Sequence, residues 1–364
     1  MGSLAEPWQE SVRGGLVNPA ILNLSGLDQI RAWERGLVPR PPIARLTGLR
    51  MEGAAEGSSS WSMPASAWMV TPQGAIAIGM LAVLADPALG CAVQTILPPG
   101  TPYTTAELSL TMVRPVPGSG DLLHAHGRVV HPGRRMALSA VSIEDRAGRL
   151  VAHGTSRCMI LPRLYHLPPA DSLEQEPPGP GDDDADDPWR RPDVQGASLA
   201  QELWDAETGL EIMCRLLTGE LPRPPLCMLT GLRVTNVGYG SCEFTLPATG
   251  WLASPTGLVE GGMIAMLADA ALQSAIATTA PPGCAVASVD LKVNFLRPCP
   301  TDGRLLLGKG SVVHQGKSLV IANGEVLNAD GKRVAIGTGS ALLLPGTPAT
   351  LDPEGDYLRP ASAP

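Results

Sequence analysis

The chain repeats itself at domain length, so whatever it folds into must be built as one unit used twice. Arg40-Pro41-Pro42 returns 183 residues later as Arg223-Pro224-Pro225. At the same spacing Leu46-Thr47-Gly48-Leu49-Arg50 returns as Leu229-Thr230-Gly231-Leu232-Arg233, and Leu84-Ala85-Asp86 as Leu267-Ala268-Asp269. Pro98-Pro99-Gly100 and Val129-Val130-His131 recur likewise, as Pro281-Pro282-Gly283 and Val312-Val313-His314. From 40 to 162 the offset never changes, and about 47 of those 123 aligned positions are identical. Ser25-Gly26-Leu27 against Thr208-Gly209-Leu210 carries the match further back. Two units follow, 25–162 and 208–345, each of ordinary domain size. Residues 163–207 read as an acidic, Pro/Gly-rich linker and lead-in that includes Asp182-Asp183-Asp184-Ala185-Asp186-Asp187. Such a composition cannot bury a core and reads as a solvated spacer. Residues 346–364 read as a tail that frays.

Apolar residues make up 44% of the 364 and charged residues 17%, enough for two filled cores. A net charge of −8 argues against a broad surface for nucleic acid or an anionic membrane. The N-terminus lacks a charged-then-apolar leader pattern, and no apolar run reaches the ~18 residues of a membrane span. The expectation is a cytoplasmic protein. Cys91, Cys158, Cys214, Cys227, Cys242, Cys284 and Cys299 are scattered without a CxxC pair, so they read as small buried hydrophobes and no metal site is expected.

Within each unit Ser25 and Thr208 can cap a short leading helix, with Asp28 or Glu211 in its first turn. A strand follows at 240–247. The stretch from Gly262 is then apolar nearly all round, as is its copy from Gly79 to Val93, which predicts a buried helix. Strand patterns follow at 287–296, 304–313, 319–327 and 333–344, with turn residues between. The predicted class is α+β: two tandem units, each a curled antiparallel sheet wrapped around one central helix.

Trp251-Leu-Ala-Ser-Pro-Thr-Gly-Leu-Val-Glu260-Gly261-Gly262-Met-Ile-Ala-Met-Leu-Ala-Asp269, followed by Ser288-Val-Asp-Leu-Lys-Val-Asn-Phe-Leu-Arg297-Pro, resembles the signature of the phenylacetyl-CoA-type hotdog thioesterases. Both repeats carry it. In that family a His-Gly-Gly opens the central helix and an acidic residue lies about two turns in. The resemblance implies two hotdog domains and a thioester hydrolase acting on acyl-CoA or acyl-carrier substrates, with coenzyme A entering as part of the substrate and no other cofactor. It also implies a homo-oligomer as an option, and sites at the interface of the two repeats.

The chemistry has a physical basis. Thioester hydrolysis puts negative charge on the carbonyl oxygen, which helix N-terminal N–H groups can stabilise. A carboxylate can activate water or attack, and a hydroxyl can hold the water. One site would join Glu260, Gly261 and Gly262 with Asp86 and Thr105. The other would join Ala77-Ile78-Gly79 with Asp269 and Ser288. The first keeps both glycines and is the favoured one, because the β-branched Ile78 should obstruct the second. Neither has the family's histidine; Glu260 stands in its place. Pro87 should kink the helix at Asp86. Arg114, Arg297, His314 and Lys317 are the candidate contacts for coenzyme A phosphates. The missing histidine leaves a dehydratase, isomerase or cyclase on the same fold as an alternative, and the Ala77-Ile78 helix start leaves a non-catalytic acyl-binding protein.

Overall fold

The computed structural model describes residues 5–169 and 184–351. Repeat one supplies α1 (Gly26–Glu34), α2 (Pro42–Thr47), β1 (Arg50–Ala55), β2 (Ser58–Pro64), α3 (Ile78–Gln94), β3 (Tyr103–Met112), β4 (Leu122–His131), β5 (Met136–Glu144) and β6 (Leu150–Ile160). Repeat two supplies α4 (Gln201–Ala206), α5 (Gly209–Thr218), α6 (Pro225–Thr230), β7 (Arg233–Gly238), β8 (Ser241–Pro247), α7 (Gly261–Ala277), β9 (Cys284–Phe295), β10 (Leu305–Gln315), β11 (Leu319–Leu327) and β12 (Arg333–Pro345). The helix caps form as their hydroxyls dictate. Ser25 Oγ accepts from Asp28 N–H at 3.2 Å, and Thr208 Oγ1 accepts from Glu211 N–H at 3.2 Å within a capping box.

All strands join one antiparallel 12-stranded sheet in the order β1-β2-β4-β5-β6-β3-β9-β12-β11-β10-β8-β7. The two halves are mirror orders meeting at β3 and β9. There Ser109 pairs with Lys292, its own copy in repeat two, with Glu107 opposite Asn294 and Thr111 opposite Asp290 on either side. A pseudo-twofold axis therefore passes through the Ser109–Lys292 pair. Joining the halves here covers two strand edges that would otherwise stand open. The edge strand β1 escapes a pattern reading, since Arg50-Met-Glu-Gly-Ala-Ala has no β-branched residue.

Under the sheet α3 and α7 cross, and this crossing explains the glycine that both helix starts share, Gly79 and Gly262. A Cβ on Gly79 would lie 2.6 Å from Met266 Cα, and one on Gly262 2.4 Å from Val83 Cα. Only glycine lets the two backbones approach this closely. The helix α3 runs from Ile78 to Gln94 as one helix with Pro87 inside it. Among the described residues no helix is long and apolar enough to cross a membrane.

The lead-in segments correct the reading of 163–207 as a spacer. Asp182 and Asp183 lie outside the described residues, but from Asp187 onward the chain is packed. Each lead-in crosses to the other repeat and back. Trp189 lies on Gly48 and Pro64 of repeat one; Trp8 lies on Gly231 and Pro247 of repeat two. Trp68 Nε1 donates to Arg191 O at 2.9 Å, and Trp251 Nε1 donates to Glu10 O at 3.1 Å. Leu199 N–H then reaches Pro72 O, and Val17 N–H reaches Pro255 O, each at 2.8 Å. Asp187, at 0% exposure, faces Arg13, Arg40 and Arg45 at 3.6–3.8 Å. The tail reading also needs correction as far as Leu351. Gly346 N–H donates to Gly283 O, Leu351 N–H to Gln73 O, and Ala349 is buried; residues from 352 on lie outside the described residues.

Candidate active site

The pseudo-symmetry places both candidate constellations where α3 and α7 cross, and each brings together the residues read from the sequence. At the first, Asp86 meets the start of α7. Thr105 Oγ1 donates to Asp86 Oδ1 at 3.0 Å, and Gly262 N–H donates to the same carboxylate. Asp86 Oδ2 lies so near Gly261 that a Cβ there would be 2.5 Å away. Glu260 faces Asp86 directly. Burial, then the neighbouring Asp86, pushes the Glu260 carboxyl well above its ordinary value, and burial raises Asp86 against the hydrogen bonds from Glu260, Thr105 and Gly262. Two carboxyls in one buried place cannot both ionise. Glu260 keeps the proton and donates it in a hydrogen bond to Asp86. With Thr105, Gly262 and Glu260 all donating, the Asp86 carboxylate is well supplied with partners.

At the second, Gly79 N–H, at the start of α3, donates to Asp269 Oδ2 at 3.0 Å. Here the other carboxylate oxygen, Asp269 Oδ1, has no hydrogen-bond partner although it is buried. Burial pushes the Asp269 carboxyl up to about 7, opposed by the Gly79 N–H and the approach of the Gln273 amide.

What separates the two is space. A cavity of about 1710 Å3 opens beside the second site, with Ala77, Ile78, Asp269, Gln273 and Ser288 in its wall. Asp86, Thr105 and Glu260 do not line it. The reason lies in three substitutions between the repeats. Leu216, Phe244 and Val286 stand along the cavity, whereas Trp33, Trp61 and Tyr103 occupy the matching positions of repeat one. Trp33 and Trp61 pack edge to face at 6.2 Å, and the Tyr103 hydroxyl reaches Gly90, where a Cβ would be 2.7 Å from it. Larger aromatic side chains fill what smaller ones leave open. Ile78, expected to obstruct this site, is 1% exposed and belongs to the cavity wall.

The remaining sequence candidates divide. Arg114 lines the cavity, with its Nε donating to Leu150 O at 2.7 Å. Arg297 is its copy and so faces the filled side, where it bonds Arg333 O. His314 and Lys317 lie at the β10–β11 turn, outside the cavity wall. Arg149, Arg223, Arg233 and Gln273 belong to that wall and were not singled out. The change from Gly90 to Gln273, a small residue against a long polar one at matching positions of the two apolar helices, is the sequence signal that could have found Gln273.

The family model described as the Thioesterase superfamily matches residues 73–152 and again 256–335, the same span of each repeat. Several solved structures are similar over most of both chains. A tesB protein of Mycobacterium avium subs paratuberculosis is 13% identical with a TM-score of 0.51, covering 84% of this chain and 98% of its own. A conserved hot dog fold protein of unknown function from Alicyclobacillus acidocaldarius is 14% identical with a TM-score of 0.50, covering 83% and 97%. A candidate thioesterase from Novosphingobium aromaticivorans is 19% identical with a TM-score of 0.50, covering 80% and 97%. The fold is thus two tandem hotdog domains in one sheet. No curated protein matches the sequence.

Proposed function

We propose, from the premise that both repeats are domains of the Thioesterase superfamily, that this chain hydrolyses acyl thioesters in the cavity beside Asp269. The observation that carries the reading is the Asp269 carboxyl: buried, poised near 7, held on one oxygen and without a hydrogen-bond partner on the other, in a residue of the wall of a large cavity. A general base works best when its pKa lies near the working pH. Asp269 takes a proton from water as the water oxygen bonds to the thioester carbonyl carbon. The resulting oxyanion faces the start of α3, where the first-turn N–H of Ile78 has no partner within its helix. The intermediate then expels sulfur, the C–S bond breaks, and the proton on Asp269 passes to the departing thiolate. The products are a carboxylic acid and a thiol. Ser288, across the wall, can hold the water or the carbonyl.

Of the two carriers, coenzyme A suits the wall better. Arg114, Arg149, Arg223 and Arg233 give it four guanidinium groups, and guanidinium is the side chain best matched to phosphate. The test is incubation with a panel of acyl-CoAs, following free thiol with a chromogenic reagent and the acyl product by mass spectrometry. Thiol release with a free acid supports the reading. Tight binding without thiol release favours the acyl-binding alternative, which the Ala77-Ile78 helix start and the filled Asp86 site motivate. A changed acyl group still on its thioester points to a dehydratase or isomerase.

A further inference from the structure

One flank of the cavity is closed by the segment that follows β12. Gly346, Thr347, Pro348, Ala349, Thr350 and Leu351 all belong to its wall. The segment is rooted beyond the C-terminal end of α7. There Gly346 N–H donates to Gly283 O, and Gly283 N–H donates to Trp204 O, each at 2.8 Å. Gly346 has φ +73°, so it turns the chain out of β12 in a conformation that glycine adopts without strain. At the other end Thr350 donates both its N–H and its Oγ1 proton to Gln201 Oε1 of α4, each at 2.9 Å. Leu351 N–H donates to Gln73 O at 2.9 Å. Gln73 lies in the turn just before α3, the helix whose Gly79 N–H holds Asp269. The segment is therefore a strap that runs from the far end of α7 back toward the carboxyl. The lengths agree, since 269 to 277 of α7 rises about 12 Å and an extended 346 to 351 can reach about 17 Å.

The matching segment of repeat one takes another course. Carried past β6, the 183-residue offset sets 163–168 against 346–351. There Leu164 N–H donates to Gly100 O, and Pro168 O accepts from Asn23 Nδ2, so the segment stays on its own repeat. The strap of repeat two crosses instead to repeat one, on the side where the cavity is open. It is uncharged, and the wall near its root is apolar, with Trp204, Ala277, Ala285 and Leu344. Ala349, 8% exposed, joins the hydrophobic core from the strap. We infer that residues 346–351 form a specificity-determining strap that lies along the acyl group and, through Ala349, favours a long apolar chain over a short one. The inference rests on the hydrolase reading above. A chain that leaves the carbonyl beside Asp269 and follows α7 is covered by the strap, and each methylene sheltered from water strengthens its binding. An acetyl group ends before it gains that cover.

The test compares full-length wild type with Ala349→Trp and Gln201→Leu on octanoyl-CoA and acetyl-CoA. Tryptophan at 349 enters the cavity that Ala349 lines and displaces the chain. Leucine at 201 removes the acceptor of both Thr350 donors and unlatches the strap from α4. Thermal melting checks the fold, and should Ala349→Trp fail to fold, Gln201→Leu decides. The readout is the ratio of kcat/KM for octanoyl-CoA to that for acetyl-CoA. It should fall by about tenfold or more in Ala349→Trp and by about threefold or more in Gln201→Leu, the scale on which apolar pockets discriminate. A ratio unchanged in both, or an equal loss on both thioesters, gives the strap a structural role alone and overturns the inference. In parallel, calorimetry follows a thioether analogue of octanoyl-CoA, with a methylene between sulfur and carbonyl, that cannot be hydrolysed. If wild type releases no thiol, the hydrolase reading falls and the analogue decides the strap's role. Weaker binding in both variants upholds it, and equal binding, or none to wild type, overturns it.

Discussion

Gly79 N–H, at the start of the repeat-one helix, donates to Asp269 Oδ2 of repeat two at 3.0 Å, and leaves Asp269 Oδ1 unsatisfied at the wall of the cavity. Its pseudo-symmetric counterpart, Gly262 with Asp86, is closed in by Thr105 and Glu260. A duplicated chain has thus specialised: the same crossing of two helices is packed shut on one side and open on the other.

The first prediction concerns pH. Burial holds the Asp269 carboxyl near 7, so the folded protein keeps its proton to higher pH than an exposed aspartate would. Hydrolysis needs the ionised form. The rate constant kcat/KM should therefore be low near pH 5, rise through a midpoint close to 7, and level above 8. A profile flat from pH 5 to 8 on a substrate limited by chemistry would contradict the assignment of Asp269 as base.

The second concerns Glu260. Its folded pKa lies above the ordinary 4.5, so the unfolded chain releases this proton at lower pH than the folded one. Rising pH above 4.5 consequently favours unfolding until the folded carboxyl also ionises. Glu260→Gln retains a donor toward Asp86 and cannot ionise. Its Tm relative to wild type should therefore increase between pH 5 and pH 8. Melting curves at both values check this, and a difference that stays constant or shrinks would deny that Glu260 is held protonated.

The third concerns the lead-ins. Asp187→Ala leaves Arg45, itself 2% exposed, without its buried acidic neighbour. Removing one side of a buried ion pair costs about 3–5 kcal/mol. Urea denaturation should show a loss of that order. A change below about 1 kcal/mol would mean that the lead-in adds little to the joining of the repeats.

The fourth concerns the cavity. Leu216→Trp installs the side chain that repeat one carries at Trp33, into space that exists. Stability should fall by no more than about 1 kcal/mol, since the residue fills a void and displaces little. Turnover of the larger acyl-CoAs should drop more than that of the smaller ones in side-by-side assays. Unchanged selectivity would place the acyl group elsewhere.

Much of the fold could be read from residues. The unbroken 183-residue offset marks two like units, and the all-round apolarity of 79–93 and 262–277 marks their central helices. The lead-ins were illegible because their offset slips: Glu6-Pro7-Trp8 answers to Asp187-Pro188-Trp189 at 181 residues, and the intervening Pro, Gly and Asp mimic a solvated spacer. The parts of both sites were legible, but the space beside them was not. Counting glycines at the helix starts favours Glu260-Gly261-Gly262, yet Gly262 serves the crossing with Val83. What opens one side is decided far along the chain, by Trp33, Trp61 and Tyr103 against Leu216, Phe244 and Val286, and no local pattern announces which side chains will share a cavity.

The most direct test of the account is a comparison of two isosteric changes, Asp269→Asn and Asp86→Asn, in steady-state thioester hydrolysis. Asp269→Asn should lower kcat by about 10²-fold or more, the scale of a lost general base. Asp86→Asn, in the filled site, should leave kcat within a few-fold of wild type. The reverse ranking, with Asp86→Asn crippling and Asp269→Asn nearly silent, would place the chemistry among Thr105, Glu260 and Gly262 and contradict the assignment of the open cavity as the active site.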